Sequence, residues 1–316
     1  MNGKKNRSEK LLPDMVVADN IELIRHIGHT ATHMEIADAM RAYAFDTFIH
    51  RYSFDYACEK ANAYLLSEEG LNNLCVLKCI NNWYYGGRQI YVFDDDFASL
   101  LSSQGKSDLH ISTETLAQLP CSSFYVQRKY QDSLGFFVDI LDNDICIAEF
   151  FDGDRPDGFV MRFTADDTVE GILQKMVGAE TTIDDSLAAE YAEMLQFIVY
   201  LSAVNAEIAP VTKRQVQEKA IAQHPQKSSA QPQKSAVANV GYRIGMAVRK
   251  HRQAESSVSY QHSPQGHGAP KAPHIRRAHF HGYHTNNGYR VKWLNTIFVN
   301  AERDDNDIST IHKVLQ

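Results

Sequence analysis

The chain has 316 residues, of which 44% are hydrophobic and 22% are charged, and these fractions are typical of a soluble globular protein. No run of about eighteen apolar residues is present, and the basic start MNGKKNRSEK is not followed by an apolar stretch. The sequence therefore predicts neither a membrane-spanning helix nor a secretory signal. The five cysteines are an odd number without regular close spacing, which indicates free thiols in a reducing, cytoplasmic compartment.

The charge of the chain is divided unevenly along its length. The formal net charge is −7, yet residues 210–300 contain fourteen Lys plus Arg and only two acids, which gives +12. The rest of the chain, with 18 basic and 37 acidic residues, carries −19. This division predicts an acidic body with a basic arm whose partner is a polyanion. The alternative is that the arm docks on the acidic body of the same molecule.

The N-terminal part of the chain has helical patterns. We expect residues 1–13 to be disordered and residues 14–67 to be mainly helical, with apolar residues recurring every three to four positions. A further helix is predicted over residues 68–83, before a Gly-Gly stop.

A strand at residues 88–93 follows, because the segment RQIYVF alternates. The acids Asp94, Asp95 and Asp96 then suit the start of a short helix, where carboxylates face the positive end of the helix dipole. A metal site is the alternative interpretation of these three acids.

Four more strands are predicted in the segments SSFYVQ, LGFFVDIL, DICIAEFF and GFVMRFT, with Asp, Asn and Gly in some of the turns between them. Consecutive strands joined by short turns form an antiparallel meander, so the predicted fold class is α+β, with packed helices, rather than a doubly wound sheet. The long apolar segment DSLAAEYAEMLQFIVYLSAVNAE predicts a buried helix that closes the acidic body, residues 14–208.

The composition changes after the body. Residues 209–238 are rich in Gln, Lys, Ser and Ala and are predicted to be a linker. A basic C-terminal module is expected at residues 239–300 and an acidic tail at residues 301–316. At the start of the module, VANVGYRIGMAVRKHRQA predicts a short amphipathic helix with Val240, Ile244 and Val248 on its inner face and Arg243, Lys250 and Arg252 on its outer face.

A β-hairpin is predicted in PHIRRAHFHGYHTNNGYRVKWLNTIFVN. The segments RAHFHGYHT and YRVKWLNTIFVN both alternate with period two, and Asn286-Asn287-Gly288 between them is a turn signal. One face of the hairpin should carry cations, imidazoles and a phenol, from Arg277, His279, His281, Tyr283, Arg290 and Lys292.

Four interpretations of this hairpin are open. A metal could bind His279 and His281 with His274 or Tyr283, but carboxylates and cysteines are missing nearby and the arginines would repel a cation. The two histidines could instead act as acid and base in metal-independent RNA cleavage. We expect neither a metal nor a cofactor.

The third interpretation is contact with a nucleic acid, in which cations bind phosphates and aromatic rings stack on bases. The stacking candidates are Phe280, Tyr283, Tyr289 and Trp293. The fourth is a structural hairpin whose basic face is only solvated. Contact with a polyanion agrees best with the charge of the arm.

The sequence resembles a known family in these same segments. The elements PHIRRAHFHGY, YRVKW and FVN, together with YYGGRQIYVFDDDF and TETLAQLPCSSFYVQ, are similar to the second family of type V-A anti-CRISPR proteins, the AcrVA-two-like proteins of phages and plasmids. This sequence differs from the expected pattern at Ala278, Phe280 and His284.

The resemblance implies a protein of a mobile genetic element that acts in the cytoplasm of a bacterial host. It implies an inhibitor that recognises the nascent N-terminal polypeptide of the type V-A CRISPR nuclease and triggers loss of its mRNA during translation. We expect the acidic body to bind the peptide, and the basic module to contact mRNA or the ribosome. We also expect a host ribonuclease rather than this protein to cut the transcript. A metal-independent ribonuclease using His279 and His281, and a DNA-binding regulator of a mobile element, are the alternatives. The expected nucleic-acid or ribosome contacts are His274, Arg276, Arg277, His279, His281, Tyr283, Arg290, Lys292 and Trp293.

Overall fold

The structure, a computed structural model, describes most of the chain between residues 12 and 299. The described residues are 12–28, 34, 36–42, 54–65, 67–103, 110–128, 133–141, 143–152, 156–163, 166–177, 185–210, 235–257, 274–276, 278–286, 288–294 and 297–299. The predicted disorder of residues 1–11, most of the predicted linker (211–234) and the predicted acidic tail (301–316) lie outside the described residues.

Nine helices have defined bounds in this part of the chain, and residues 36–42 are also helical. The helices are α1 (Leu12–Asp19), α2 (Ile21–Ile27), α3 (Phe54–Leu65), α4 (Glu68–Tyr85), α5 (Asp95–Ser102), α6 (Thr113–Leu116), α7 (Val169–Val177), α8 (Asp185–Ser202) and α9 (Tyr242–Ser257). None of these helices is long and apolar enough to cross a membrane.

The strands of the described residues form one large sheet and three two-stranded sheets. The strands are β1 (Gln89–Phe93), β2 (His110–Ser112), β3 (Ser123–Gln127), β4 (Ser133–Leu141), β5 (Asp144–Phe151), β6 (Asp157–Arg162), β7 (Asp166–Thr168), β8 (Ile208–Pro210), β9 (Ala236–Val240), β10 (His274–Arg276), β11 (His279–Thr285), β12 (Gly288–Leu294) and β13 (Ile297–Val299). The large sheet has the order β6-β5-β4-β3-β1-β9-β8.

The α+β fold class is confirmed, and β3 to β6 form the predicted antiparallel meander. The sheet as a whole is mixed, however, because β1 pairs in parallel with both β3 and β9. Parallel neighbours need a long crossover connection. The connection from β1 to β3 contains α5, β2 and α6, so β1 could not join the meander as a simple hairpin.

The N-terminal helices cover one face of the sheet. Trp83 of α4 is fully buried and its indole contacts the ring of Phe137 on β4, with the ring centroids 5.4 Å apart. Val17 of α1 packs in the same cluster, and partly buried Leu12 joins it. Leu12 and Pro13, which the sequence analysis placed in a disordered segment, therefore begin a helix.

The opposite face of the sheet carries the main hydrophobic core. The aromatic side chains of α8 meet those of the β1–α5 segment here: the Phe93 and Phe197 ring centroids are 4.6 Å apart, and those of Phe97 and Tyr200 are also 4.6 Å apart. The buried helix predicted at the end of the acidic body is confirmed as α8, since most of its residues from Ala192 onward are buried.

The segment at 236–240 corrects two expectations. These residues form β9, an interior strand of the sheet between β1 and the edge strand β8, although residues 236–238 were placed in the linker and the segment from Val237 onward was placed in a helix. The helix begins only after Gly241, whose φ is +70° and whose position would put an added Cβ 2.0 Å from the Phe97 ring. A short apolar run fits a strand or a helix equally well, and its strand partner β1 is far away in the sequence. The predicted inward placement of Val240 and Val248 is confirmed, and Ile244 is partly buried against the main core.

Candidate nucleic-acid interface

The predicted C-terminal hairpin is present as β11 and β12. Its register pairs Phe280 with Trp293, His281 with Lys292 and Tyr283 with Arg290. Directly paired residues of an antiparallel hairpin lie on the same face. The hairpin therefore has one face with His281, Lys292, Tyr283 and Arg290 and another with Phe280 and Trp293, as the alternation predicts.

The apolar face of the hairpin is packed into the main core. Trp293 is 1% exposed, and its ring centroid lies 5.9 Å from that of Phe97, 5.8 Å from Tyr200 and 4.8 Å from Phe280. Burial raises the pKa of Tyr200, whose hydroxyl accepts a hydrogen bond from the Glu207 amide. Trp293 was expected to contact a nucleic acid. Its ring is buried among other aromatic rings, so a base cannot reach it to stack.

The backbone of β12 is also attached to the body. The Asn205 side chain donates to the Trp293 carbonyl oxygen at 2.8 Å and accepts from the Trp293 amide at 2.9 Å. Gln118 donates to the carbonyl oxygen of Tyr289, and Glu114 accepts from the amide of the same residue. The hairpin is thus fixed directly against the body, on the edge of β12 that β11 does not use.

The other face of the hairpin is open to solvent. His279 and His281 are exposed, and Tyr283, Arg290 and Lys292 are half-buried. The rings of His281 and Tyr283 are nearly parallel, with an interplanar angle of 16° and centroids 6.1 Å apart. In the described part of the chain, no carboxylate forms an ion pair with any of the cations of this face.

The cations of α9 are in a different situation. Arg249 donates to both Asp94 and Asp96, with its Nη1 atom 2.9 Å and 2.7 Å from their carboxylate oxygens. These hydrogen bonds, with that of Asp96 the stronger influence, raise the pKa of Arg249 above its ordinary value. Arg252 pairs with Asp96 at 2.6 Å, and Arg243 pairs with Glu207 at 3.1 Å.

The basic arm is therefore electrostatically divided. The arginines of α9 are neutralised by acids of the body, which agrees with the alternative of intramolecular docking for this helix. The exposed hairpin face keeps its cations for solvent or a partner. The acids Asp94 to Asp96 serve as helix start and ion-pair partners: Asp94 caps α5 by accepting from the amides of Asp96 and Phe97.

The remaining expected contact residues have less definite positions. His274 and Arg276 lie in β10, which pairs with β13 next to the base of the hairpin. Arg277 lies outside the described residues. The three residues belong to the same chain segment as β11, but the structure places only the backbone of the first two.

No three His, Cys, Asp or Glu side chains are grouped to hold a metal ion anywhere in the described ranges. The four cysteines in those ranges, Cys75, Cys79, Cys121 and Cys146, are free. Cys75 and Cys79 are four residues apart on α4, so they share one face of that helix, and both are buried.

Buried charges also occur away from the hairpin, inside the body. Arg128, at the end of β3, donates to Glu193 of α8 and to Glu149 of β5, the latter at 3.2 Å. On the other face of the sheet, Lys78 of α4 lies 3.1 Å from Asp139 of β4. Both clusters join a helix to the sheet, and we assign them a structural role.

Sequence reasoning missed the residues that position the hairpin. Asn205 and Gln118 lie 88 and 171 residues from the backbone groups that they bind. Neither residue belongs to a local sequence pattern. Each binds a backbone group, and every residue type except proline carries the same backbone groups, so the partner leaves no signal in the sequence. Only the buried stripe of the hairpin itself could have indicated that a docking surface exists.

The comparisons with known proteins concern this same part of the chain. A model of the AcrVA2-like family, the anti-CRISPR type V subtype A2 family, matches residues 91–301, which is well over half of the chain. The chain belongs to the AcrVA2-like family. The match extends from β1 to just beyond β13 and includes the whole hairpin.

The crystal structure of AcrVA2 is similar to this AcrVA2-like protein, with a TM-score of 0.51 and 15% sequence identity over 90% of this chain and 99% of that chain. At this identity the likeness shows a shared fold. No curated protein matches the sequence significantly. Family membership makes the protein an anti-CRISPR protein directed against the type V-A system, so it acts on a component of that system.

Proposed function

We propose that this AcrVA2-like protein lowers the expression of the type V-A CRISPR nuclease. In this proposal it recognises the nascent N-terminal polypeptide of the nuclease and triggers loss of the nuclease mRNA during translation. The acidic body binds the peptide, the exposed hairpin face contacts mRNA or the ribosome, and a host ribonuclease cuts the transcript. The contact residues of the proposal are His279, His281, Tyr283, Arg290 and Lys292, together with His274, Arg276 and Arg277, which precede β11 in the sequence.

One observation supports the RNA or ribosome contact above all. The three arginines of α9 are paired with Asp94, Asp96 and Glu207, whereas the described residues offer no carboxylate to Arg290 or Lys292. A cation that is already paired has little to gain from a phosphate, because it must first give up its carboxylate. When cations without such a partner bind phosphates, the counterions that surround the nucleic acid are released. This release drives nucleic-acid binding.

The experiment measures nuclease mRNA in bacteria that express the nuclease together with this protein. The double variant Arg290→Glu/Lys292→Glu should leave nuclease mRNA at the level found without the inhibitor, while the wild-type protein depletes it. The control is Lys4→Glu/Lys5→Glu, which changes the net charge equally at positions far from the hairpin in the sequence. Full depletion by the hairpin double variant, at normal protein level, would refute the proposed contact.

The proposed peptide recognition needs a separate measurement. The purified protein should bind a peptide with the N-terminal sequence of the nuclease, and the hairpin double variant should bind it equally well. A hairpin variant that loses both peptide and transcript activities would contradict the proposed separation of the two tasks.

A metal-independent ribonuclease remains a second candidate function because His279 and His281 share the exposed face with Lys292. Two imidazoles can act as base and acid in RNA transesterification, and an ammonium group can stabilise the charged phosphorane. The test is incubation of the purified protein with labelled transcript in EDTA. If the wild-type protein cleaves the transcript and both His279→Ala and His281→Ala do not, this protein itself is the ribonuclease, and recruitment of a host ribonuclease is not needed.

A further inference from the structure

The exposed face of the hairpin has a regular arrangement of rings and cations. His281 lies directly opposite Lys292, and Tyr283 lies directly opposite Arg290, so each ring on β11 has a cation beside it on β12. The two rows are neighbours on one face, since residues two apart on a strand point the same way and are separated by about 6.6 Å. Each row thus offers one planar surface and one positive charge.

The rings of the two rows are oriented alike. The planes of His281 and Tyr283 differ by 16°, and their centroids are 6.1 Å apart. Parallel rings at the surface can accept planar groups without rearrangement. The hairpin beneath them is held by the buried Trp293 and by the two hydrogen bonds of Asn205, so the rows keep their spacing.

Bases and phosphates are the two groups that this arrangement fits together. A base stacks on an aromatic face, and its neighbouring phosphate pairs with a cation. A double helix offers its phosphates but covers the faces of its bases, and the major groove of duplex RNA is too narrow for side chains to enter. Only a single strand presents both groups at once.

Resting on the proposed function, we infer that the hairpin face binds single-stranded RNA with one nucleotide at each row. The bases stack on Tyr283 and His281, and the phosphates pair with Arg290 and Lys292. Nothing on this face selects a hydrogen-bonding edge of a base, so binding is tolerant of sequence. The protein therefore engages unpaired message, and the nascent peptide rather than the RNA sequence supplies the choice of target.

The test is fluorescence anisotropy of the full-length protein with three probes of equal length: a labelled single-stranded RNA, the same RNA in a duplex, and the corresponding single-stranded DNA. The single-stranded RNA should bind at least about 10-fold more tightly than the duplex. Tyr283→Leu should weaken that binding by about 5- to 150-fold, the range for loss of one stacked base. Tyr283→Phe, which keeps the ring, should bind like the wild-type protein.

A matched pair of histidine variants separates this face from the hairpin in general. His281 and His284 are both exposed on β11, but they point to opposite faces. His281→Gln should weaken binding of the single strand, and His284→Gln should not. Equal losses of affinity in the two variants would overturn the inference that the face with His281 and Tyr283 binds the RNA.

The outcomes also separate this inference from the proposed function. Equal binding of single strand and duplex would overturn the inference and leave a phosphate contact in place. Equal binding of RNA and DNA single strands would support the stacking and phosphate contacts of the two rows. It would also show that the hairpin itself does not distinguish RNA from DNA, so that RNA is bound in the cell because mRNA is the single strand present at the translating ribosome. Binding to none of the probes would overturn the inference together with the proposed RNA contact. Tight, row-dependent binding without transcript loss in cells would overturn the proposed function alone.

Discussion

Glu149 is a carboxyl group whose surroundings favour its neutral form. Burial raises its pKa to about 7, and nearby Glu190 adds to this rise, against the lowering effects of Ser133 and Arg128. Its guanidinium partner, Arg128, is shared with Glu193. One cation between several acids cannot compensate fully for their removal from water.

We predict that the free energy of unfolding depends on pH through Glu149. The pKa of this group is about 7 in the folded protein against 4.5 as its ordinary value, so the folded state holds the proton more tightly. Raising the pH from about 4.5 to about 7 therefore lowers the free energy of unfolding, by at most about 3 kcal/mol. Urea unfolding across this range should show wild-type stability falling relative to that of Glu149→Gln. Glu59→Gln, an exposed acid on α3, is the control and should follow the wild-type curve.

Side-chain exposure in the hairpin could be predicted only in part. Period-two alternation placed His281 and Tyr283 on one face and Trp293 on the other, and this is confirmed. It could not show that the core lies against the face of Trp293, because the enclosing rings of Phe97 and Tyr200 come from distant parts of the chain. An aromatic residue on a strand suits a core and a stacking surface equally well.

At the scale of elements, Asp94 joins two helices. Its carboxylate accepts from the amides of Asp96 and Phe97 at the start of α5 and also binds Arg249 of α9. The backbone of α9 comes close at this point, since a Cβ added at Gly245 would lie 1.7 Å from the Asp94 carboxylate. The sequence showed the capping role, but it could not show a partner that is 155 residues away.

We predict different costs for two substitutions of Asp94. Asp94→Asn keeps a good capping side chain and loses the ion pair, which should cost about 1 kcal/mol because Arg249 is partly exposed. Asp94→Ala loses the cap as well and should cost about 1 kcal/mol more. Denaturant unfolding measures both. Equal losses would show that the cap contributes nothing. The double variant Asp94→Asn/Arg249→Gln should cost less than the sum of the two single variants, because each single variant already removes the Asp94–Arg249 contact.

The attachment of the hairpin leads to a second prediction at this scale. Asn205→Ala removes both hydrogen bonds to Trp293 and should lower the free energy of unfolding by about 1 kcal/mol, since water can reach this exposed residue. Amide hydrogen exchange should accelerate in β11 and β12 more than in β4 and β5. Acceleration spread evenly over all four strands would contradict a local role for Asn205.

Elements with local signals were predicted well. The meander from β3 to β6, the helices α4 and α8, and the hairpin all follow from periodicity and turn residues within their own segments. β9 was not predicted, because its strand character comes from pairing with β1. A run of five residues before Gly241 carries too little pattern to distinguish a strand from the first turn of a helix.

At the scale of the whole molecule, charge is balanced internally in one part of the arm and left open in another. Counting residues along the sequence gave the net charge of the arm but could not divide it between α9 and the hairpin. That division depends on the position of Asp94, Asp96 and Glu207 next to α9 in the folded protein.

This division predicts which cations would contribute to the salt dependence of the proposed RNA binding. Each phosphate contact with a single strand contributes about 0.7 to the slope of log Kd against log salt concentration. Arg290→Gln and Lys292→Gln should each lower the slope by about that amount. Arg249→Gln removes a charge that Asp94 and Asp96 already neutralise, so it should leave the slope unchanged. Measurements of Kd at several salt concentrations check this, and a uniform decrease in all three variants would contradict it.

The parallel pairing of β1 with β9 also determines the order in which the molecule can fold. β1 lies between β3 and β9, so one of its two hydrogen-bonding edges has no partner until residues 236–240 have been synthesised. An open strand edge is a site of mispairing and aggregation. A chain terminated after β8 would retain the entire meander and yet expose the edge of β1 that β9 covers in the full-length protein, so we expect such truncated forms to be insoluble.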